Sequence, residues 1–92
     1  MSKARKHLYI SGRVQGVGFR AFTKREAEEL NLSGWVKNLA DGRVEAIICG
    51  EKSKVEELLK LLKDGPRLAR VDKIEVSAKD YKDEFEAFTI RY

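Results

Sequence analysis

A chain of 92 residues with a formal net charge of +4 is long enough for one folded domain and too short for two. Hydrophobic residues make up 42% and charged residues 37% of it, a balance that fits a globular domain and excludes a disordered chain. No apolar run approaches the roughly 18 residues that a membrane helix needs, and a single cysteine excludes an internal disulfide.

The chain begins with a predicted strand, a loop and a helix. Residues 7–12 alternate between apolar and polar side chains, which is typical of a strand with one buried face. Residues 13–18 carry two glycines and predict a loop. From about residue 19 to residue 30, apolar side chains recur every three or four positions, which predicts an amphipathic helix.

A hairpin is predicted in the middle of the chain. Residues 34–39 and 43–50 have the composition and alternation of strands. Between them, Asp41-Gly42 predicts a two-residue turn, because both central positions of that turn need a positive φ angle.

The second half of the chain predicts a helix and two strands. Apolar residues at a spacing of three, four and seven predict a helix that begins near Ser53, where Ser53 and Glu56 have the spacing of a capping box. Gly65-Pro66 ends it. Strands are predicted over 71–78 and 88–92. The order β-α-β-β-α-β plus a C-terminal strand predicts an α+β fold of the ferredoxin-like split βαβ type, an antiparallel sheet with two helices on one face.

The loop that follows the first strand has the properties of a phosphate cradle. Residues 12–20 read GRVQGVGFR, and glycines allow successive backbone N–H groups to converge on one point. The helix that follows adds its free N–H groups and the positive end of its dipole. Arg20 lies in the first helical turn, and its planar guanidinium can hold two phosphate oxygens. Read as spacing alone, the run is also compatible with a purely structural turn.

Better-known nucleotide motifs do not fit this loop. Residues 16–21 match the dinucleotide pattern G-x-G-x-x-A by letter, but the next strand ends without the acidic residue that such a site needs. A Walker sequence is absent. An RNA-recognition module shares the predicted fold, but its third strand carries stacking aromatics and residues 43–50 carry none. We therefore expect no nucleic-acid partner.

Two long motifs resemble the signatures of the acylphosphatase family. Residues 12–20 are similar to the first signature, and residues 34–38 (GWVKN), with the Asp41-Gly42 turn, are similar to the second. The run at 65–72 and the ending at 88–92 also resemble this family, so the likeness covers nearly the whole chain and implies one acylphosphatase-like domain over residues 1–92. It implies an enzyme that hydrolyses the carboxyl–phosphate bond of acyl phosphates.

The resemblance also implies which residues act. Arg20 is implied as the phosphate-binding arginine and Asn38 as the residue that orients the attacking water. The substrate phosphate-binding loop comprises Gln15, Gly16, Val17, Gly18, Phe19 and Arg20. Without the family, Asn38 is a polar residue at a strand end and Gln15 an amide that stabilises a loop.

Further expectations concern cofactors, partners and location. No Cys/His cluster has the spacing of a metal site, so we expect no metal and no cofactor. The expected ligands are a small acyl phosphate, such as an acetyl, carbamoyl or glyceroyl phosphate, and inorganic phosphate as product and competitor. We expect a cytoplasmic monomer without a membrane partner. A thermophilic source is also expected, because Lys and Glu are abundant while Asn, Gln, Cys and Met are scarce. A domain that binds phosphate compounds without hydrolysing them remains an alternative.

Overall fold

The computed structural model describes residues 2–92, which form five strands and two helices. In chain order these are β1 (Lys3–Arg13), α1 (Phe19–Glu29), β2 (Ser33–Asn38), β3 (Val44–Glu51), α2 (Lys52–Asp64), β4 (Arg70–Lys79) and β5 (Phe88–Arg91). The strands form one sheet in the order β4-β1-β3-β2-β5. The predicted ferredoxin-like α+β fold is confirmed. The first four strands pair antiparallel, whereas β5 pairs parallel with β2, so the sheet is mixed.

The hydrophobic core lies between one face of the sheet and the two helices. Leu8 and Ile10 of β1 are fully buried, while His7 and Tyr9 lie on the opposite face, which we call the open face. The alternation predicted for the first strand is therefore confirmed. Buried core residues come from all layers of the fold, and they include Val36, Val44, Ala46, Ile48, Phe19, Ala27, Val55, Leu58 and Leu62.

The first strand is longer than its alternation predicts. It begins at Lys3, four residues before the predicted start, in a segment of three basic residues and one alanine. Backbone pairing on both sides explains the extension, because Lys3 lies opposite Glu51 of β3 and Arg5 lies opposite Lys79 of β4. Neighbouring strands thus impose an extended conformation where the side chains alone give no strand signal.

The turn between β2 and β3 differs from the predicted one. The backbone N–H of Leu39 donates to the carbonyl of Arg43 over 2.8 Å, so the turn encloses three residues instead of two. Gly42 has a φ of 95°, but Asp41 does not have a positive φ. The prediction of two positive-φ positions is therefore wrong. Three-residue hairpin turns need only one left-handed residue, and the Asp41 carboxylate accepts a hydrogen bond from the backbone N–H of Arg43 over 3.0 Å, which stabilises this form.

The start of α2 also differs from the prediction. The helix begins at Lys52, with Glu51 as its N-cap, and no side chain of the described residues caps it. Ser53 lies inside the first turn, so the predicted capping box is wrong. Strand β3 runs directly into α2, and the N–H of Lys52 donates to the carbonyl of Ser2 over 2.9 Å instead. The predicted stop is confirmed, because Gly65 ends the helix with a φ of 68°.

Strand β4 is an edge strand whose apolar face is only partly covered. Ile74 lies opposite Ile10 and is half-buried, whereas Val76 lies opposite Leu8 and is 46% exposed. In the sequence, Ile74, Val76 and Ala78 alternate with polar residues and share one face of the strand. Because β4 is an edge strand, the helical layer covers this face only in part, and burial falls along β4 although the alternation continues.

Candidate active site

Three parts of the chain end at the same edge of the sheet. Val44, the first residue of β3, lies opposite Ile10 of β1 on one side and opposite Asn38 of β2 on the other. The loop that leaves β1 and the end of β2 therefore flank the start of β3. A cavity of about 200 Å³ opens there. Its lining residues are Val14, Gly16, Gly18, Phe19, Arg20, Ala21, Asn38, Ile90 and Tyr92.

The loop between β1 and α1 depends on two left-handed glycines. Gly16 has a φ of 73° and Gly18 a φ of 79°, a region that other residues rarely adopt. A Cβ atom added at either position would meet no heavy atom within 4 Å. Glycine is therefore required there by backbone conformation and not by crowding. Backbone of this kind can direct successive N–H groups to one point, as a phosphate cradle requires.

The N-terminus of α1 faces the same cavity. Gly18 is the N-cap, and no side chain of residues 2–92 caps this helix. Its first turn carries no acidic residue. The first backbone N–H groups of a helix have no partner within the helix, and the helix dipole adds positive potential at that end. These groups are consequently available to an anion in the cavity.

The guanidinium of Arg20 lies at the cavity without a carboxylate partner. Within residues 2–92 the side chain forms no ion pair. Its guanidinium carbon lies 4.7 Å from the centre of the Tyr92 ring. Stacking of this kind uses the face of the guanidinium plane and leaves the N–H donors at its edge free. The positive charge of Arg20 is thus uncompensated and its bidentate fork is available.

Asn38 brings an unsatisfied acceptor to the same cavity. It is the last residue of β2, and its Oδ1 atom is buried without a hydrogen-bond partner among residues 2–92. A buried polar atom without a partner costs roughly 1–3 kcal/mol. Such an atom in a cavity that also holds a free guanidinium indicates a group that receives a hydrogen bond from a bound molecule.

Known proteins of one family share this sequence and fold. The acylphosphatase family model matches residues 6–90. The chain is 45% identical to an acylphosphatase of Syntrophobacter fumaroxidans over 92 residues, which cover 100% of this chain and 95% of that protein. It is 54% identical to an acylphosphatase of Pseudomonas paraeruginosa over 78 residues, 85% of this chain and 86% of that one. The crystal structure of acylphosphatase from Bacillus subtilis superposes with a TM-score of 0.93 at 36% identity and covers 97% of this chain and 99% of that one.

The chain belongs to the acylphosphatase family. The family predicted from the two signatures is confirmed, and so is the prediction of an enzyme of this class. The acylphosphatase fold places the two signatures side by side, although Val14 and Asn38 lie 24 positions apart in the chain. The sequence alone does not show that the two signatures lie next to each other in the fold.

Most of the site residues expected from the acylphosphatase signatures line the cavity, and two do not. Gly16, Gly18, Phe19, Arg20 and Asn38 line it as expected from the sequence.

The side chain of Gln15, in contrast, turns toward the β2–β3 turn, where its Nε2 donates to the carbonyls of Leu39 (2.8 Å) and Arg43 (3.0 Å). Its interpretation as a loop-stabilising amide agrees with these contacts. Val17 is half-buried and does not line the cavity either.

Four further residues line the cavity that were not among the named site residues 15–20 and 38. They are Val14, Ala21, Ile90 and Tyr92. Tyr92 has the clearest contact, because its ring stacks on the guanidinium of Arg20. The only available signal for it was the C-terminal run at 88–92, which resembles the family but carries no motif of its own.

The reactive side chains of the open face lie outside this site. The Nε2 atom of His7 lies 2.7 Å from the Oε2 atom of Glu45. Cys49 is 1% exposed, and burial raises the pKa of its thiol. Among residues 2–92 no group of three His, Cys, Asp or Glu side chains is arranged to hold a metal ion. No helix within the described part of the chain is long and apolar enough to cross a membrane.

Proposed function

We propose that the chain hydrolyses acyl phosphates to a carboxylate and inorganic phosphate, by in-line attack of water on a phosphate held in the cradle. The cradle consists of the backbone of residues 15–19 together with Arg20, and Asn38 orients the water. Membership of the acylphosphatase family supports the reaction. The roles of Arg20 and Asn38 rest on one observation: an uncompensated guanidinium and an unsatisfied amide oxygen lie at the same cavity.

The reaction needs charge stabilisation more than acid–base chemistry. The water oxygen forms a bond to phosphorus while the bond from phosphorus to the acyl oxygen breaks, and the carboxylate leaves with that electron pair. Three oxygens of the phosphate product come from the transferred phosphoryl group, and water supplies the fourth. One proton of the water stays on the phosphate and the other passes to solvent. Because a carboxylate is a good leaving group, no strong general acid is required.

Arg20 and the backbone donors fit the charge of the transition state. Negative charge in phosphoryl transfer spreads over the three equatorial oxygens. A guanidinium fork can contact two of them, and the N–H groups at the start of α1 can contact the others. The donors at the start of α1 are backbone groups that follow the Gly18 N-cap, so the helix geometry sets their direction before substrate arrives. Preorganised donors stabilise charge without a cost of reorientation during the reaction.

Asn38 fits the position of the attacking water. Its buried Oδ1 can accept a hydrogen bond from water and so direct the oxygen lone pair toward phosphorus. A neutral amide orients the water without removing its proton, and it does not repel the anionic substrate as a carboxylate does. Holding the nucleophile in line converts a bimolecular encounter into an oriented one, which is a large part of catalysis in such sites.

The same site accounts for the expected ligands. Inorganic phosphate has the same oxygens as the transferred group, so it binds the cradle as product and competes with substrate. No step in this scheme uses a metal or a cofactor. We further propose that the protein works as a cytoplasmic monomer on small acyl phosphates without a nucleic-acid or membrane partner, and that its source is thermophilic.

Hydrolysis of a synthetic acyl phosphate tests the proposed reaction. We expect rapid release of phosphate from acetyl or benzoyl phosphate in the presence of a chelator and little release from a phosphate monoester. In water enriched in ¹⁸O, the label should enter inorganic phosphate and not the carboxylate. Label in the carboxylate means attack at the acyl carbon, and activity that disappears on chelation and returns with magnesium contradicts the metal-free scheme.

If the chain is a binding module and not an enzyme, the same assay is expected to give a different result. A domain that only binds phosphate compounds takes up phosphate at the cradle and releases none from an acyl phosphate. Saturable phosphate binding without hydrolysis of any acyl phosphate therefore favours that alternative.

A further inference from the structure

The phosphate loop is not tied to the β2 strand by the sheet itself. Pairing of β1 with β3 stops at Ile10 and Val44, and residues 11–13 continue only along β4 on the other side. Beyond this point β1 leaves its inner neighbour, and the loop projects past the end of the ladder. Asn38 belongs to β2, which β3 separates from β1. The sheet therefore does not fix the distance between the loop and Asn38.

Gln15 bridges this gap with one amide group. Its Nε2 atom donates to the carbonyl of Leu39 over 2.8 Å and to the carbonyl of Arg43 over 3.0 Å, so both amide hydrogens are used. Leu39 and Arg43 are the two residues that flank the hairpin turn, and Leu39 directly follows Asn38. The side chain thus connects the start of the phosphate loop to the backbone next to Asn38.

We propose that Gln15 is a positioning residue that sets the distance between the cradle and the water held by Asn38. The inference rests on the proposed function and extends it, because Gln15 itself does not line the cavity. It acts through two backbone carbonyls and not on the phosphate. A displacement of about 1 Å between reacting groups can lower the rate about 100-fold, so a link of this kind controls the reaction more than it controls binding.

From the hydrogen bonds of the hairpin we expect the fold to tolerate loss of this link. The carbonyl of Leu39 also accepts a hydrogen bond from the N–H of Gly42 (3.2 Å), and the carbonyl of Arg43 also accepts one from the N–H of Leu39 (2.8 Å). Without Gln15 each carbonyl keeps a partner, so no orphaned acceptor remains. Removal of the amide is therefore expected to loosen the alignment and leave the turn intact.

Substitution Gln15→Met tests the role, because methionine has a similar length and no donor. We expect kcat to fall about 10- to 100-fold, while the dissociation constant of inorganic phosphate changes less than about twofold, since the cradle N–H groups and Arg20 remain. If methionine packs poorly at this position, Gln15→Ala should show the same lower kcat with an unchanged dissociation constant for phosphate. Asp41→Ala is the matched control. It removes two hydrogen bonds from Arg43 within the same turn, those donated by the backbone N–H and by Nε, and leaves the two contacts of Gln15 in place. We therefore expect kcat to stay at the wild-type value.

A double-mutant cycle with Asn38→Ala separates positioning from general loosening. If Gln15 acts through Asn38, the double variant should be no slower than Asn38→Ala alone. Rate losses that multiply, or a loss of phosphate affinity in parallel with kcat, overturn the inference and leave the proposed function standing. A wild-type kcat in Gln15→Met, together with a slow Asn38→Ala, also overturns the inference and leaves the proposed function standing. A wild-type kcat in Asn38→Ala instead contradicts the proposed role of Asn38, and the positioning role falls with it.

Discussion

Two polar regions of this molecule are arranged in opposite ways. On the open face of the sheet, Glu45 lies 2.7 Å from the Nε2 atom of His7 and 3.7 Å from the Nζ atom of Lys37. The guanidinium of Arg43 stacks on Tyr9 at 4.6 Å. The titratable side chains of this region contact one another, so their charges are largely compensated within the protein.

At the cavity edge the polar groups have fewer partners. Arg20 has no carboxylate partner among residues 2–92, and the Oδ1 atom of Asn38 accepts no hydrogen bond from them. Satisfied networks stabilise a fold, whereas unsatisfied groups that converge on a cavity are available to a ligand. Under the proposed function, the chemistry belongs to the arginine and the neutral amide at the cavity, and the histidine, carboxylate and cysteine of the open face take no part in it.

Substitution Arg20→Ala should have the largest effect on the cavity edge. Loss of a guanidinium that stabilises transferred phosphate lowers rates by roughly 10³- to 10⁵-fold in comparable reactions, and phosphate affinity should fall with it. Arg20→Lys should restore little, because an ammonium cannot form the two-oxygen fork. Steady-state kinetics and phosphate inhibition measure both effects.

Arg25→Ala is the matched control for that variant. Arg25 lies on the same helix and also stacks on an aromatic ring, that of Phe22 at 5.8 Å, but it does not line the cavity. Its removal should leave kcat unchanged. Equal rates for Arg20→Ala and wild type contradict the assignment of the cradle.

Substitution Asn38→Ala should have the next largest effect. Loss of one preorganised polar group lowers kcat by about 10²- to 10³-fold, while phosphate affinity changes little, because Asn38 acts on water and not on bound phosphate. Asn38→Asp should be equally slow, since a carboxylate repels the substrate. Measurement of kcat, phosphate affinity and melting temperature on one preparation checks this. A lower melting temperature with kcat per folded molecule intact assigns Asn38 to the scaffold instead.

Inorganic phosphate should stabilise the protein through the cavity edge. Binding to the native state alone adds about 2.7 kcal/mol at a phosphate concentration of 100 times the dissociation constant. For a domain of this size that corresponds to a rise in melting temperature of roughly 10–20 °C. Thermal unfolding in phosphate against chloride of equal ionic strength measures it. A rise of the same size in Arg20→Ala indicates that phosphate binds elsewhere.

Substitution His7→Gln should affect stability and not catalysis. It weakens the contact with Glu45, and loss of a hydrogen bond to a charged group costs about 1–3 kcal/mol. Because His7 lies on the open face, kcat per folded molecule should remain at the wild-type value. Urea unfolding and steady-state kinetics on the same samples test this, and a fall in kcat with unchanged stability breaks the division between the two regions.

The sequence predicts much of the fold and part of the site. Alternation in β1 and the three-four spacing in α2 identify buried faces, because burial imposes these periods directly. The longer start of β1 and the N-cap of α2 at Glu51 were not predictable, since backbone pairing with distant segments determines them.

For the site, motif resemblance identifies Arg20 and Asn38, but three features depend on tertiary structure. These are the ring of Tyr92 on Arg20, the bridge from Gln15 to the β2–β3 turn, and the orphaned Oδ1 of Asn38. Each is a contact or a missing contact between residues far apart in the chain, and no local pattern encodes it.

A phosphate titration followed by backbone amide NMR tests the central claim most directly. We predict saturable shifts of the N–H resonances of residues 16–21 and of the Asn38 side-chain amide, with an affinity equal to the inhibition constant for phosphate. Resonances of the open face, such as those of His7 and Glu45, should stay in place. Shifts concentrated on the open face, or no saturable shift at residues 16–21, would contradict the account.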